Sequence, residues 1–179
     1  MTTDLHPAPR ASGSHGSHIL AWLAVAAVIA AVDQVTKARI LASLAPGQVV
    51  PVTSYFDLVL AYNPGAAFSL LADAGGWQGS LFLAIGVAAC TAIVWMLMTH
   101  SGRTRFSAAL SLILGGALGN IVDRVHYGHV IDFLEFHWNW LRPVFPGGYY
   151  PAFNVADSAI SVGAVLLVVD ELLRMRHRG

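Results

Sequence analysis

Two aspartates, Asp132 and Asp157, stand where long apolar segments meet a polar loop. Acidic side chains are costly at a membrane boundary and by default mark function there. Two carboxylates within hydrogen-bonding reach share one proton and titrate with split pKa values. One can act as general base on a water while the other acts as general acid, first to a carbonyl oxygen and then to a leaving amine. The pair therefore predicts hydrolysis of a peptide bond at a membrane surface.

Taken singly, each aspartate has an ordinary explanation. Asp157 falls in the first turn of a predicted helix, where a carboxylate complements the helix dipole and can cap free N–H groups. Asp132 is expected to be an exposed loop residue just beyond another helix. Their coincidence favours a joint site, because the two helices joined by one loop are antiparallel neighbours. Asn154 lies three residues before Asp157 and therefore on the same helix face.

The sequence gives less support for a mechanism that uses a metal ion, a serine or a cysteine. His126, His129 and His137 lie near one predicted interface, and Asp132 could complete a metal site with them, but the sequence has no His-Glu-x-x-His motif. It also has no Gly-x-Ser-x-Gly motif for a serine nucleophile. Cys90, the only cysteine, lies in an apolar run and is expected to be a packing residue. We therefore expect neither a metal nor a cofactor.

The composition is that of a membrane protein. The 179 residues are 56% hydrophobic and only 11% charged, and the mean hydropathy is +0.62. A soluble domain typically has about 25% charged residues. Ten Lys and Arg balance ten Asp and Glu, so no overall positive field directs the chain toward nucleic acid.

Apolar segments of this kind predict an all-α membrane protein with four transmembrane helices in a single domain of residues 18–174. Residues 1–17 are polar and rich in His, Ser and Gly, which predicts a disordered tail. Residues 175–179 are expected to form a basic tail. The four helices are predicted at about residues 18–41, 77–99, 106–126 and 153–173.

Basic residues set the predicted orientation. The turn at 100–105 has two Arg and the C-terminal residues 174–178 have three, whereas the loop at 42–76 has no Lys or Arg. The loop at 127–152 has only Arg142. By the positive-inside rule, both termini and the 100–105 turn are cytoplasmic and both long loops face outward. The two aspartates are then expected at the extracytoplasmic face.

The first long loop is expected to carry some structure of its own. Residues 49–62 are rich in Val, Thr, Tyr and Phe and predict one or two short strands outside the membrane. Pro64 and Gly65 predict a turn after Asn63. Residues 69–74 predict a short amphipathic helical turn on the interface. In the second loop, a set of aromatic side chains predicts an interfacial belt that anchors the loop.

Further polar residues lie inside the predicted helices at helical spacing. Asp33 and Lys37 are four residues apart and can pair. The pair either lets two charges tolerate the interface or shapes the site.

Asn120, Asp123 and Arg124 share one side of the third predicted helix. Asp123 and Arg124 are expected to satisfy each other or neighbouring groups, because unpaired charges are costly at this depth. Asn cannot extend to the interface as a long charged side chain does, which favours a polar shell that supports the aspartates. Gly115 and Gly119 on the same helix predict close packing against another helix.

These residues occur in five motifs that together resemble the bacterial lipoprotein signal peptidases, the type II signal peptidases. Each motif is weak alone, but five in order on a chain of this length are specific. The resemblance covers about residues 20–173. The motifs are Asp33-Gln34-x-x-Lys37, Asn63-x-Gly65-x-Ala67-Phe68, Gly115-Gly116-x-x-Gly119-Asn120-x-x-Asp123-Arg124, Val130-x-Asp132-Phe133 and Phe153-Asn154-x-Ala156-Asp157-Ser158.

The resemblance implies an intramembrane aspartic endopeptidase of the bacterial inner membrane. It would cleave a prolipoprotein just before a cysteine that already carries diacylglycerol, with Asp132 and Asp157 as the catalytic pair. It further implies a small extracytoplasmic sheet that cradles the substrate, a mobile helical flap, contact with membrane lipids, no metal, and inhibition by cyclic lipopeptides of the globomycin type. Residues that would shape the site or bind substrate are Asp33, Lys37, Asn63, Gly65, Asn120, Asp123, Arg124 and Asn154.

The main alternative from another functional class is a small proton-coupled membrane transporter that uses the same acids. A transporter would call for polar residues along the whole bundle, whereas here they crowd toward one end. A membrane scaffold without enzymatic activity would leave Asn120, Asn154 and the paired aspartates unexplained.

Overall fold

The computed structural model describes residues 13–65, 77–100 and 102–176. Within these residues the chain forms four α-helices and three β-strands. The helices are α1 Gly13–Ser43, α2 Trp77–His100, α3 Thr104–Tyr127 and α4 Val155–Arg176. The strands are β1 Val49–Pro51, β2 Phe56–Asn63 and β3 Val130–Phe136.

Helix limits agree with the predicted ones except at the start of α1. Helices α2, α3 and α4 begin and end within three residues of their predicted limits. Helix α1 begins at Gly13, so residues 13–17, which were expected to be disordered, are helical. These residues continue a helix that the apolar segment has already started. Extending an existing helix adds one hydrogen bond for each residue fixed, whereas starting a new helix is costly. The predicted turn at 69–74 and the remainder of both tails lie outside the described residues.

Three of the described helices are long and apolar enough to cross a membrane: His18–Ser43 within α1, Gly79–His100 within α2, and Thr104–Tyr127, which is α3. Helix α4 has 22 residues and would extend about 33 Å. It differs from the other three helices because an acidic residue, Asp157, lies in its first turn. A fourth span therefore stays a prediction.

Helix α3 is the centre of the bundle. It contacts α1, α2 and α4, and Leu97 of α2 and Leu110 of α3 belong to one buried apolar cluster. The predicted close packing at Gly115 is confirmed, because a Cβ atom there would lie 2.6 Å from the carbonyl oxygen of Ala26 on α1. At Gly119 a Cβ atom would collide with the carboxylate of Asp33. These glycines bring α1 close enough for its polar side chains to reach α3.

The three strands form one antiparallel sheet in the order β1-β2-β3. Strands β1 and β2 confirm the strands predicted within residues 49–62. Strand β3 was not predicted, and it corrects the placement of Asp132, which is 2% exposed and lies opposite Ala61 of β2. The sequence analysis predicted a loop here because the acidic residues Asp132 and Glu135 interrupt the apolar run. The segment is a strand because it pairs with β2.

Candidate active site

Asn154, just before α4, holds both aspartates. Its side-chain Nδ2 donates to Oδ1 of Asp132 over 2.7 Å, and its backbone N–H donates to Oδ2 of Asp157 over 3.2 Å. In return, the backbone N–H of Asp157 donates to the Asn154 side-chain oxygen over 2.9 Å. The structure thus brings Asp132 and Asp157 together at one residue, as the sequence predicted.

Two further amides complete the hydrogen bonding of the pair. Asn63 Nδ2 donates to Oδ2 of Asp132 over 3.0 Å, and Asn120 Nδ2 donates to Oδ1 of Asp157 over 2.8 Å. All four carboxylate oxygens therefore accept from neutral N–H groups. Within the described part of the chain, neither carboxylate has a salt-bridge partner.

Without a cation between them, the two aspartates repel each other. Burial, followed by the negative charge of Asp157, raises the pKa of Asp132 from 3.8 to about 7, although hydrogen bonds from Asn63 and Asn154 act in the opposite direction. Asp132 is therefore about half protonated at neutral pH, where an ordinary aspartate is fully ionised. Repulsion of this kind favours the singly protonated pair, which provides one general acid and one general base.

Asp157 opens onto a cavity of about 320 Å³ beside α4. The cavity wall also contains Tyr150, Phe153 and Ser158. Asp132 is buried on the strand side, whereas Asp157 is half-buried. A water or a peptide bond in this cavity would contact the pair from the side of Asp157.

Lys37 connects α1 to this site through Asn120. Its ammonium lies 2.8 Å from Asp33 and 2.7 Å from Asp123, and it donates to Oδ1 of Asn120 over 3.0 Å. These three contacts use all three N–H donors of a lysine, and the residue is 1% exposed. The predicted pairing of Asp33 with Lys37 is confirmed. Through Asn120 the network reaches Asp157, which favours a role in shaping the site.

Asp123 is satisfied by neighbouring residues. Besides Lys37, it accepts from the backbone N–H of Ile131 over 3.1 Å and from Gln34 Nε2 over 2.8 Å. Arg124, the next residue, donates from Nη1 to the Asn120 carbonyl over 3.2 Å. The sequence left open whether Asp123 pairs with Arg124 or with other neighbouring groups. The structure shows that it pairs with the other neighbours.

Gln34 is a site residue to which the sequence analysis assigned no role. Its Nε2 bonds to Asp123 and to the carbonyl of Gly119, over 3.1 Å in the second case. Beside it, Asp33 accepts from the backbone N–H of Ala156 over 2.9 Å and so caps the start of α4. The only signal in the sequence was the position of Gln34 within the Asp33 motif.

The Asn63 turn depends on Gly65. Gly65 has φ +102° and is buried, and a Cβ atom there would collide with the ring of Phe82. Its N–H donates to the Asn63 side-chain oxygen over 2.9 Å, which leaves the Asn63 amide N–H free to reach Asp132. Gly65 therefore orients a residue that holds the pair.

The three histidines considered for a metal site are engaged separately. His137 Nε2 lies 3.2 Å from Asp57, a residue that the sequence analysis did not single out. The ring of His129 lies against Tyr62 at 4.4 Å, and the ring of His126 lies 5.0 Å from the ring of the next residue in the chain. In the described ranges, no three His, Cys, Asp or Glu side chains are grouped to hold a metal ion.

Comparison with protein families matches residues 25–173 to the family described as signal peptidase (SPase) II. The chain belongs to the signal peptidase II family. Members of this family are peptidases, and the chain is therefore a peptidase.

Curated relatives agree with membership of the signal peptidase II family. A lipoprotein signal peptidase of Ralstonia nicotianae is 54% identical over 168 residues, which cover 94% of this chain and 92% of that protein. A lipoprotein signal peptidase of Paraburkholderia phytofirmans is 53% identical over 172 residues, which cover 94% of each chain.

Two solved structures share the fold. One, described as a bacterial membrane enzyme obtained by the in meso method at 2.3 Å, has a TM-score of 0.74 and 29% identity and covers 92% of each chain. Another, at 1.9 Å, has a TM-score of 0.70 and 28% identity, covering 88% of this chain and 93% of the other. The signal peptidase II family and the apolar helices identify a membrane protein, and no similarity supports the transporter alternative.

Proposed function

We propose that this protein is an aspartic endopeptidase that removes signal peptides from prolipoproteins whose lipobox cysteine carries diacylglycerol, cleaving just before that cysteine. The observation that carries the proposal is the arrangement of Asp132 and Asp157, two carboxylates held by amides alone at one end of a membrane bundle. Membership of a peptidase family supplies the reaction class.

In the proposed mechanism the pair acts with one shared proton. The ionised carboxyl removes a proton from a water, and the water oxygen attacks the carbonyl carbon that precedes the cysteine. The protonated carboxyl donates its proton to the carbonyl oxygen. When the tetrahedral intermediate collapses, the C–N bond breaks and the cysteine nitrogen takes a proton from one carboxyl. A hydroxyl group of the intermediate gives its proton to the other carboxyl as the C=O bond re-forms, which restores the singly protonated pair. The raised pKa of Asp132 makes it the better candidate for the acid in the first step.

The polar shell would keep the pair in place, with Asp33, Lys37, Asn120, Asp123 and Asn154 forming its buried part. A pair held to within a fraction of an ångström needs supporting residues with locked rotamers, and the hydrogen bonds above lock these five.

At the rim of the site, Asn63 and Arg124 are the residues proposed to meet the substrate, and buried Gly65 is proposed to shape the turn that presents Asn63. The Arg124 Nε is buried and has no hydrogen-bond partner among the described residues. Its guanidinium also interacts electrostatically with Asp132 and Asp157. A substrate carbonyl near the cleaved bond would satisfy this donor.

The proposed location is the bacterial inner membrane, with four spans, both termini in the cytoplasm and the active site at the extracytoplasmic face. The basic turn at 100–105 and the basic C-terminal tail support this orientation. For the fourth span, residues 158–169 of α4 carry no charge, and charged residues flank them. The proposed domain is residues 18–174, followed by a basic tail at 175–179 and preceded by a tail at 1–17.

Lipid on the substrate explains this location of the pair. The acyl chains would hold the cysteine at a fixed depth among the membrane lipids, and the peptide bond before it would then lie at the interface. Immobilising the peptide there lowers the entropic cost of attack. Globomycin-type lipopeptides, which carry both a lipid chain and a peptide ring, are the proposed inhibitors.

The test uses the purified protein in a lipid mimetic with a lipidated and an unlipidated form of one prolipoprotein. We expect cleavage of the lipidated form only, loss of cleavage with a globomycin-type inhibitor, and no effect of EDTA. Equal cleavage of the two forms would contradict the role of the lipid. Strong inhibition by EDTA would contradict the aspartic mechanism and favour a metal site.

A further inference from the structure

The second long loop encloses a cavity of about 590 Å³ that is separate from the cavity at Asp157. One carboxylate lies in its wall, that of Glu135 near the end of β3. Most of the remaining wall is aromatic or proline: Phe145, Pro146, Tyr149, Tyr150 and Pro151.

The charge of Glu135 is only partly compensated by its surroundings. Its carboxylate has no hydrogen bond or salt bridge within the described ranges, and the residue opposite it on β2 is Asp57, which has the same charge. Like charges directly opposite each other in a sheet are destabilising. The charge of His137 lowers the pKa of Glu135, but the His137 Nε2 lies against Asp57 instead, 3.2 Å from its carboxylate. Burial and then Asp57 raise the pKa of Glu135, so a cation in the cavity would relieve an unfavourable charge.

The other wall residues have the chemistry that recognises the same kind of group. Tyrosine and phenylalanine rings attract an ammonium or guanidinium through their negative faces, and a carboxylate accepts its N–H groups. Tyr149 and Tyr150 are partly exposed, so the cavity is open to a side chain arriving from outside.

The cavity is within reach of a peptide bound at the aspartate pair. Tyr150 lines both this cavity and the one at Asp157. Glu135 follows Asp132 by three residues on the same strand, so their Cα atoms are about 10 Å apart and their side chains leave opposite faces of the sheet. An extended peptide covers that distance in about three residues. In a prolipoprotein the signal peptide precedes the cleaved bond and enters the membrane, so the chain on the outer side is the one that follows it.

We propose that the Glu135 cavity binds a lysine or arginine side chain of the prolipoprotein, located two to four residues after the cleaved bond. The enzyme then prefers substrates with a basic side chain there over substrates with an acidic one. This inference rests on the proposed function and adds a determinant of specificity to it.

The test compares three lipidated prolipoproteins that differ only at the third residue after the cleaved bond, which is Lys, Gln or Glu. For the wild-type protein we expect kcat/KM to be about 5- to 30-fold higher with Lys than with Glu, since a partly exposed charge-assisted contact is worth about that factor. In Glu135→Gln we expect the ratio to fall below about 2-fold, with the Gln substrate cleaved at the wild-type rate. Glu135→Lys should reverse the preference.

Glu171→Gln is the matched control, because it removes an exposed carboxylate near the far end of α4 that pairs with Arg174. It should leave the ratio unchanged. Equal wild-type rates on all three substrates would overturn the inference, and this result needs no variant to fold. A preference that survives Glu135→Gln, or an equal loss on all three substrates, would also overturn it. Failure to cleave any lipidated substrate would instead overturn the proposed function.

Discussion

Two pairs of aspartates lie in one polar network, and they differ in what stands between them. Asp33 and Asp123 share the ammonium of Lys37, at 2.8 and 2.7 Å. Asp132 and Asp157 share Asn154, an amide without charge. A lysine neutralises the repulsion between two carboxylates, whereas an asparagine only hydrogen-bonds to them.

The difference separates a structural pair from the pair that we propose to be catalytic. The first pair is fully buried, and its oxygens also bind Gln34 and the backbone of Ala156 and Ile131, so it joins α1 and α3 to the rest of the site. The second pair keeps its repulsion, and the pKa of Asp132 is raised to about 7. Asn120 connects the two, because it accepts from Lys37 and donates to Asp157.

The largest expected effect is on catalysis by the second pair. Asp132→Asn or Asp157→Asn should lower kcat/KM on lipidated prolipoprotein by about 10³-fold or more, because each change removes a group that exchanges a proton in every turnover. A gel assay of cleavage measures this, with the thermal unfolding midpoint showing that the fold persists. Activity within tenfold of wild type in either variant would mean that the pair is not catalytic.

Removing the cation from the first pair should act on stability. Lys37→Met leaves two buried carboxylates without a counter-charge and should lower the free energy of unfolding by about 3–5 kcal/mol. Adding Asp33→Asn and Asp123→Asn to Lys37→Met should recover much of that loss. The control is Arg39→Met, which removes an exposed cation two residues away and should change stability little. A Lys37→Met protein as stable as the control would contradict the structural role of this pair.

Lys37 is the only lysine in the chain, which provides a direct probe of its burial. An amine-reactive reagent should modify Lys37 only when the bundle opens, so labelling should be slow in the native protein and fast after unfolding. Peptide mass analysis distinguishes it from the N-terminal amine. Rapid labelling of the native protein would show that the first pair is open to water.

The second pair should also make stability depend on pH. The folded-state pKa of Asp132 is raised to about 7, whereas the unfolded value is about 3.9. The folded protein therefore binds the extra proton between these values, and its stability falls as pH rises from about 4 to about 7, by up to about 4 kcal/mol. Asp132→Asn removes this dependence, so the variant should be more stable than wild type at pH 8. Unfolding midpoints at pH 4.5 and pH 8 test this, and a parallel pH response of the two proteins would contradict it.

The smallest expected effect is at the opposite end of the bundle. Arg103 pairs with Asp170 over 2.6 Å, but the arginine side chain is 31% exposed. Exposed pairs of this kind contribute about 0–1 kcal/mol, so Asp170→Asn should lower the unfolding midpoint only slightly and leave cleavage unchanged. A loss of stability as large as that of Lys37→Met would show that burial does not determine how much these ion pairs contribute to stability.

Much of the architecture could be predicted from the sequence because it is encoded locally. Apolar runs predicted helices at α1 to α4, and three- or four-residue spacing placed Asp33 with Lys37 and Asn154 with Asp157 on shared faces. The carboxylate pair could be predicted as well, because both of its members lie beside one loop.

Tertiary structure decided which groups satisfy which charges. Lys37 and Asn120 are 83 residues apart, and they meet because Gly119 lets α1 approach α3. Asp132 became a buried strand residue only through pairing with β2, which no local pattern indicated. Sequence spacing determines what shares a helix face, but contacts between segments depend on how closely the segments pack. The sequence therefore determined that two aspartates could meet at one end of a membrane bundle. Only the packing decided that amides hold this pair while the lysine neutralises the other.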